Sequence, residues 1–179
     1  MPLAAERIVT ISQRLVLEPL SVDDAEEMVA VLDDEALFEF TGGGPPGLNE
    51  LRDRYRNLAA GPEEPGETWL NWVVRVAGDG VALGTVQATI SCGPSARPVA
   101  ELSWVIGTRW QRQGIATEAT RAVAGWLDSH GVEDLCAHIH ASHYASAAVA
   151  RHLGLAPTGA GNMSGPRMSS CSSLPIRSR

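Results

Sequence analysis

The chain has 179 residues, a hydrophobic content of 44% and a formal net charge of −7. This length is typical of a single domain whose core needs neither disulfides nor a metal. The negative charge argues against nucleic acid as a partner and suits a cationic substrate. All 14 basic residues are arginine, which excludes Schiff-base chemistry and lysine nucleophiles.

The cysteine pattern and the hydropathy predict the environment of the protein. Cys92, Cys136 and Cys171 are widely separated and lack the spacing of metal ligands, which favours a reduced, cytoplasmic protein. No apolar run has the length of a membrane span, and the N-terminus lacks the layout of a signal peptide. We expect no membrane association, and the sequence suits either a monomer or a homodimer.

The N-terminal part of the chain predicts a strand followed by a helix. Residues 1–11 carry no clear pattern and are interpreted as a loosely ordered leader. Apolar and polar residues alternate over 14–20, where a proline near the end indicates a strand boundary. Ser21 suits the N-cap of a helix over 22–32, because the acidic residues near its start favour the positive end of the helix dipole.

The central part predicts a loop, a helix and a hairpin. The glycine- and proline-rich segment 41–47 is a surface loop that either shapes a substrate entrance or serves as a plain linker. A helix is predicted over 48–60. Two strands, 69–76 and 81–91, flank a turn that contains Asp-Gly at residues 79–80, a dipeptide typical of tight hairpins.

The most informative stretch is a strand, a loop and a helix between residues 100 and 128. Alternation predicts the strand over 100–106, and helical spacing of apolar residues predicts the helix from Ile115. A loop in this position presents unpaired backbone N–H groups and the positive end of the helix dipole, which suit a phosphate or pyrophosphate. Gly114 allows close approach of such a ligand, and Arg112 adds positive charge.

A second strand and helix complete the regular part of the chain. Residues 135–140 predict a strand, and 141–155 a loop and a helix that Gly154 closes as a C-terminal cap. Residues 161–179 form a serine- and arginine-rich segment with few β-forming residues. A short strand around 167–172 and a disordered tail are both compatible with this composition.

The loop motif resembles that of a known family. Gln111-x-x-Gly114-x-Ala116, between the strand and the helix, is similar to the acetyl-CoA pyrophosphate motif of the GNAT N-acetyltransferase superfamily. The opening Arg-Leu-x-Leu-x-Pro-Leu at 14–20 resembles the Rim-type branch, which acetylates ribosomal proteins. The later strand, small-residue helix and Leu-Gly-Leu resemble a further family pattern, in which His143 replaces the usual asparagine. The resemblance covers residues 12–160.

This resemblance implies a fold and a cofactor. The expected fold is α/β (α+β), with a mixed, mostly antiparallel twisted sheet of six to seven strands flanked by about four helices. The expected co-substrate is acetyl-CoA, with its pantetheine arm at the end of a strand that diverges from its neighbour. The residues expected at the cofactor are Trp104, Val105, Ile106, Gln111, Arg112, Gln113, Gly114, Ile115, Ala116, Thr117 and His143.

Two residues are candidates for the chemistry. Glu101 lies on the strand before the loop and is either the general base for an amine or an exposed strand glutamate. Ser146 is either the acid that protonates the departing CoA sulfur or an ordinary first-turn serine. Many family members use a tyrosine acid at the position of Ala150, so that mechanism is excluded here.

Three histidines, His138, His140 and His143, raise the question of a metal. No acidic residue or cysteine completes a ligand set at suggestive spacing, so we predict no metal. His143 is expected to contact CoA or to cap a helix.

The predicted function is acetyl transfer from acetyl-CoA to a primary amine by direct attack on the thioester. Deprotonating a lysine-type amine at neutral pH costs about 4.6 kcal/mol, against about 1 kcal/mol for an α-amino group. A site with one candidate base therefore suits a protein N-terminal α-amine or a weakly basic small-molecule amine. The alternative is a non-catalytic acyl-CoA-binding or sensing domain.

Overall fold

The computed structural model describes residues 3–63, 65–92, 97–159 and 162–164. Its strands are β1 (Ile8–Val9), β2 (Leu15–Pro19), β3 (Glu67–Val76), β4 (Ala82–Cys92), β5 (Pro98–Ile106), β6 (Asp134–His138), β7 (Ala156–Gly159) and β8 (Asn162–Ser164). Its helices are α1 (Ala25–Val31), α2 (Leu48–Ala60), α3 (Ile115–Ser129) and α4 (Tyr144–His152). None of these helices combines the length and apolar character that crossing a membrane requires.

The strands form one mixed sheet in the order β1-β2-β3-β4-β5-β6-β8-β7. Every neighbouring pair is antiparallel except β5 and β6, which run parallel and are connected through α3. The predicted class, a mostly antiparallel α/β sheet with about four helices, is confirmed. The sheet has eight strands because the short segments β1 and β8 also pair with it.

Both faces of the sheet carry a hydrophobic core, because side chains of neighbouring strand residues point to opposite faces. Trp72 is fully buried on the face that α3 covers, together with Val123 of that helix. The next residue, Val73, lies in the core under α1 and α2 with Met28 and Leu51. Burial of each such large side chain stabilises the fold by about 1.5–3 kcal/mol. The sheet is therefore held from both sides.

The sequence predicts a loosely ordered leader over residues 1–11. Among the described residues of this segment, Ile8 and Val9 form a strand of the sheet. Ile8 and Val9 pair with β2, and Thr10 is only 2% exposed. The indole nitrogen of Trp72 also donates a hydrogen bond to the Glu6 carbonyl at 2.8 Å. The expectation of loose order was wrong here, because a two-residue strand leaves almost no alternating pattern in a sequence.

The C-terminal edge of the sheet also differs from the expectation. Gly154, at φ +80°, closes α4 as predicted, and the Leu155 N–H donates to the Ala150 carbonyl at 3.0 Å. The chain then forms the β7–β8 hairpin, and β8 pairs with β6. The family resemblance implies two strands after Leu155, whereas the composition of this part, with few β-forming residues, did not predict them. They form through backbone pairing with β6. The suggested strand around 167–172 lies outside the described residues.

Candidate active site

The parallel strands β5 and β6 separate in the middle of β5. Their pairing begins at Val99 opposite Asp134 and ends at Glu101 opposite Cys136. On its other side, β5 stays paired with β4 up to Ile106. The backbone of residues 102–106 therefore has no partner strand toward β6 within the described chain. The divergence that the resemblance implied is present, and Trp104, Val105 and Ile106 all lie in it.

Close approach of β4 fixes the position of the diverging end of β5. A Cβ atom built on Gly84 would lie 2.0 Å from the Val105 carbonyl oxygen. Such a distance is impossible for a real side chain, so glycine is required at this position. The Gly107 N–H then donates to the Leu83 carbonyl at 2.9 Å, which anchors the chain as it leaves the strand.

The loop between β5 and α3 exposes a continuous row of backbone donors. It begins with a 3₁₀ turn over Thr108–Trp110, and Gly114 precedes α3 in the left-handed conformation at φ +75°. Among the described residues, none accepts a hydrogen bond from the N–H groups of residues 112–117. The first bond inside the helix is donated by Glu118 to the Gly114 carbonyl at 3.0 Å. These free donors and the helix dipole favour an anion.

Side chains around the loop fix its shape and add positive charge. The Gln111 amide donates to the Ile106 carbonyl at 3.0 Å, so the loop is bound to the end of β5. Arg112 is exposed and adopts a left-handed φ of +61°. The guanidinium of Arg109, also exposed, lies 4.7 Å from the centre of the Trp110 ring. Two arginines therefore flank the row of donors.

A third arginine, Arg14, reaches the loop from the N-terminal part of the chain. The Glu118 carboxylate accepts hydrogen bonds from Thr10 at 2.6 Å, from Ser12 and from Arg14 Nε at 2.5 Å. Arg14 Nη2 also donates to the Gln113 carbonyl at 3.1 Å. Although partial burial raises the pKa of Glu118, these hydrogen bonds lower it below its ordinary value overall. Sequence reasoning missed this cluster.

On the other face of the sheet, Glu101 is paired with a histidine. Its Oε1 lies 2.8 Å from Nδ1 of His138, and the two side chains are 42% and 28% exposed. Polar contacts continue beside the pair, because Ser103 donates to Gln87 at 3.3 Å and Gln87 donates to Asn71 at 2.8 Å. We call this polar strip of the sheet the acceptor face.

Ser146 and His143 contact each other at the start of α4. Nδ1 of His143 accepts a hydrogen bond from the Ser146 N–H at 3.2 Å. His143 therefore caps the helix, which is one of the two roles predicted for it. A neutral imidazole that accepts at Nδ1 carries its proton on Nε2. Nε2 lies 3.3 Å from Ser146 Oγ and donates to it, which leaves the serine hydroxyl hydrogen available to another acceptor.

The loop after α1 covers this start of α4. The ring of Phe40 lies 4.4 Å from that of His143 and 5.4 Å from that of His140. Asp34, earlier in the same loop, accepts a hydrogen bond from Thr108 at 2.6 Å, and this bond lowers the pKa of Asp34. The glycine-rich segment that follows Phe40 therefore begins beside the candidate site. Nothing in the sequence pattern had singled out Phe40.

The three histidines do not assemble into a metal site in the part of the chain that the structure describes. No group of three or more histidine, cysteine or acidic side chains there is arranged so that it could hold a metal ion. His138 is paired with Glu101, and His140 contacts Phe40. Within the described residues no hydrogen bond joins the Glu101–His138 pair to the His143–Ser146 pair.

Comparison with known proteins identifies the family and the fold. A family model described as an acetyltransferase (GNAT) domain matches residues 14–156. An acetyltransferase of the GNAT family from Bacillus anthracis is 18% identical, with 86% of each chain covered and a TM-score of 0.71. RimL, a ribosomal L7/L12 alpha-N-protein acetyltransferase in complex with coenzyme A, is 15% identical over 88% of this chain and 94% of its own, with a TM-score of 0.72.

A third solved structure is AAC(6')-Ib in complex with ribostamycin and coenzyme A. It is 16% identical, with 86% of this chain and 94% of its own covered and a TM-score of 0.69. No curated protein sequence matches the chain. These structural similarities, at low identity, establish the fold.

The family assignment follows from the matched region, which spans most of the chain. The protein belongs to the GNAT acetyltransferase family. Membership of this family makes it an acetyl-CoA-dependent N-acetyltransferase. The membership predicted from the loop motif is confirmed, and RimL is among the structural neighbours, as the resemblance to the Rim-type branch implied.

Proposed function

We propose that the protein transfers an acetyl group from acetyl-CoA to a protein N-terminal α-amine or a small-molecule amine. The observation that carries this proposal is the row of free backbone donors over residues 112–117, which lies directly beside the divergence of β5 and β6. An anion-binding helix start next to an open strand edge suits a long ligand with a diphosphate at one end.

The coenzyme would be bound mainly by backbone groups. The N–H groups of Arg112, Gln113, Gly114, Ile115, Ala116 and Thr117 would bind the pyrophosphate. The Gln111 side chain holds the loop against β5 while Arg112 contributes charge. The edge of β5 at Trp104, Val105 and Ile106 that no described strand covers would bind the pantetheine arm, and a backbone N–H on this edge would polarise the thioester oxygen as the reaction proceeds.

The chemistry needs one base and one acid. The amine nitrogen attacks the thioester carbon, and its proton passes to the basic group of the acceptor face, to which Glu101 belongs. The carbon–sulfur bond then breaks, the thiolate takes the hydroxyl proton of Ser146, and Oγ regains a proton from solvent, to which the base releases the proton of the amine. The hydrogen bond from His143 supports this role, because it orients Oγ and leaves the hydroxyl hydrogen free.

The acceptor is proposed from the chemistry of the site and from the neighbours. A single weak base favours amines that lose a proton readily, such as an N-terminal α-amine. RimL acts on a protein N-terminus, whereas AAC(6')-Ib was solved with ribostamycin, so both acceptor classes occur among related folds. We propose a cytoplasmic location on the basis of the cysteine content, and a monomer or a homodimer.

Thiol release from acetyl-CoA over a panel of amines tests the proposal. Short peptides with a free N-terminus should release CoA, whereas the same peptides with a blocked N-terminus should not. Free amino acids and ribostamycin cover the small-molecule class. Coenzyme binding without turnover on any amine would instead support the acyl-CoA-binding alternative.

A further inference from the structure

The contact between Glu101 and His138 joins two strands at the point where they separate. Glu101 is the last β5 residue paired with β6, and its partner in register is Cys136. His138 lies two residues further along β6, so its side chain is on the same face of the sheet as those of Glu101 and Cys136. The 2.8 Å contact therefore crosses the opening where the reactive end of the coenzyme is proposed to lie.

The chemistry of the two groups decides which nitrogen of the ring carries the proton. An ionised carboxylate repels an unshared electron pair, so the proton of the neutral ring lies on Nδ1, the atom 2.8 Å from Oε1. The unshared electron pair of the neutral ring is then on Nε2. No described residue bonds to this atom, and the side chain is 28% exposed. The pair thus presents a basic nitrogen toward the acceptor face.

An imidazole held by a carboxylate is an effective base for an amine. Imidazole ordinarily changes charge closer to neutral pH than a carboxyl group does, which suits general base catalysis. The carboxylate keeps the ring in one tautomer and orientation and stabilises the imidazolium that forms.

We propose that Nε2 of His138 is the atom that takes the proton from the acceptor amine, and that Glu101 is its positioning residue. This inference rests on the proposed acetyl transfer. As the new C–N bond forms, the amine N–H bond breaks and its proton moves to Nε2. The imidazolium then returns the proton to solvent, for which its partial exposure provides a route.

Matched substitutions distinguish this assignment from Glu101 acting alone. His138→Asn keeps a side-chain donor for Glu101 but removes the base, and we expect kcat to fall about 100-fold while the KM for acetyl-CoA is unchanged. Glu101→Gln keeps an acceptor for Nδ1 but removes the charge, so we expect only about a tenfold fall in kcat. If Glu101 were the base, the order of the two effects would be reversed.

Chemical rescue separates a base from a structural residue. His138→Ala should lose activity and regain at least tenfold of it when imidazole is added to the buffer, whereas Glu101→Ala should gain nothing comparable. Coenzyme binding and thermal unfolding of each variant establish that it is folded. If His138→Asn retains more than a tenth of wild-type kcat, or if imidazole does not rescue a folded His138→Ala, the inference is wrong.

Failure of the proposed acetyl transfer and failure of the inference on His138 give different experimental results. Wild-type protein that binds acetyl-CoA and acetylates no amine would overturn the proposed transfer and this inference with it. Wild-type turnover together with a high residual activity of His138→Asn would overturn the inference alone.

Discussion

The coenzyme loop and the acceptor face are built in different ways. The loop between β5 and α3 offers backbone N–H groups from one continuous stretch, residues 112–117. The acceptor face offers side chains from strands that are distant in sequence, such as Glu101 and His138. Backbone N–H donors are present whichever side chain a residue carries. The acceptor face, in contrast, depends on the identity of each side chain. Substitutions should therefore affect the two regions through different mechanisms.

The largest effect on stability is expected where the backbone itself leaves no space. Gly84→Ala would place a Cβ atom 2.0 Å from the Val105 carbonyl, so β4 and β5 would have to move apart. We expect the free energy of unfolding to fall by about 3 kcal/mol, as for severe overpacking. Urea unfolding measures this change.

Gly125→Ala is the matched control for that substitution. No atom lies within 4 Å of a Cβ built on Gly125, which is inside α3. Alanine should stabilise this helix by about 0.5–1 kcal/mol relative to glycine. Equal destabilisation by the two alanine variants would contradict the close contact between β4 and β5.

A large kinetic effect is expected at the start of α4. Ser146→Ala removes the hydroxyl that is proposed to protonate the CoA sulfur, and we expect kcat to fall about 100-fold with little change in coenzyme affinity. Steady-state kinetics and calorimetric titration with CoA separate these effects. Ser142→Ala, at an exposed residue just before the helix, should leave both quantities near wild type.

A smaller effect is expected at the cluster that ties the N-terminal segment to α3. Glu118→Gln weakens the charge-assisted hydrogen bonds from Thr10, Ser12 and Arg14, and we expect a loss of about 1–2 kcal/mol at neutral pH. Because folding lowers the pKa of Glu118, this contribution is present above the ordinary glutamate pKa and is lost as the pH falls through the lower value in the folded protein.

Unfolding measured against pH tests that cluster. The Glu118→Gln variant should lose less stability on acidification than the wild type does. Glu26→Gln is the control, since its ion pair with Arg52 is on the surface, where such pairs contribute little. Identical acid profiles for Glu118→Gln and wild type would show that the cluster does not stabilise the fold.

The contrast between the two regions explains what the sequence could predict. Gln111, Gly114 and Ala116 lie in one short motif between a strand and a helix, and this local pattern was sufficient to predict the loop and the family. Arg14 and Glu118 meet only because β2 and α3 pack together, so no local pattern marks their contact. The sequence around His138 suggests only the question of a metal, because its partner Glu101 lies on another strand.

The ends of the chain show a second limit of the sequence. β1 has two residues, and β8 is a three-residue strand that pairs with β6. Such strands form through backbone hydrogen bonds to a sheet that already exists. Strands of two or three residues are too short to show the alternation of apolar and polar side chains from which longer strands are predicted.

The central claim is that the backbone donors of residues 112–117, at the start of α3, bind the diphosphate of the coenzyme. Calorimetric titration of CoA into Gly114→Asp and wild type tests it most directly, with Gly131→Asp as a control at another exposed glycine of positive φ. We expect Gly114→Asp to weaken binding more than tenfold, because its carboxylate would face the diphosphate, and Gly131→Asp to bind as the wild type does. Equal affinity of all three folded proteins would contradict the account.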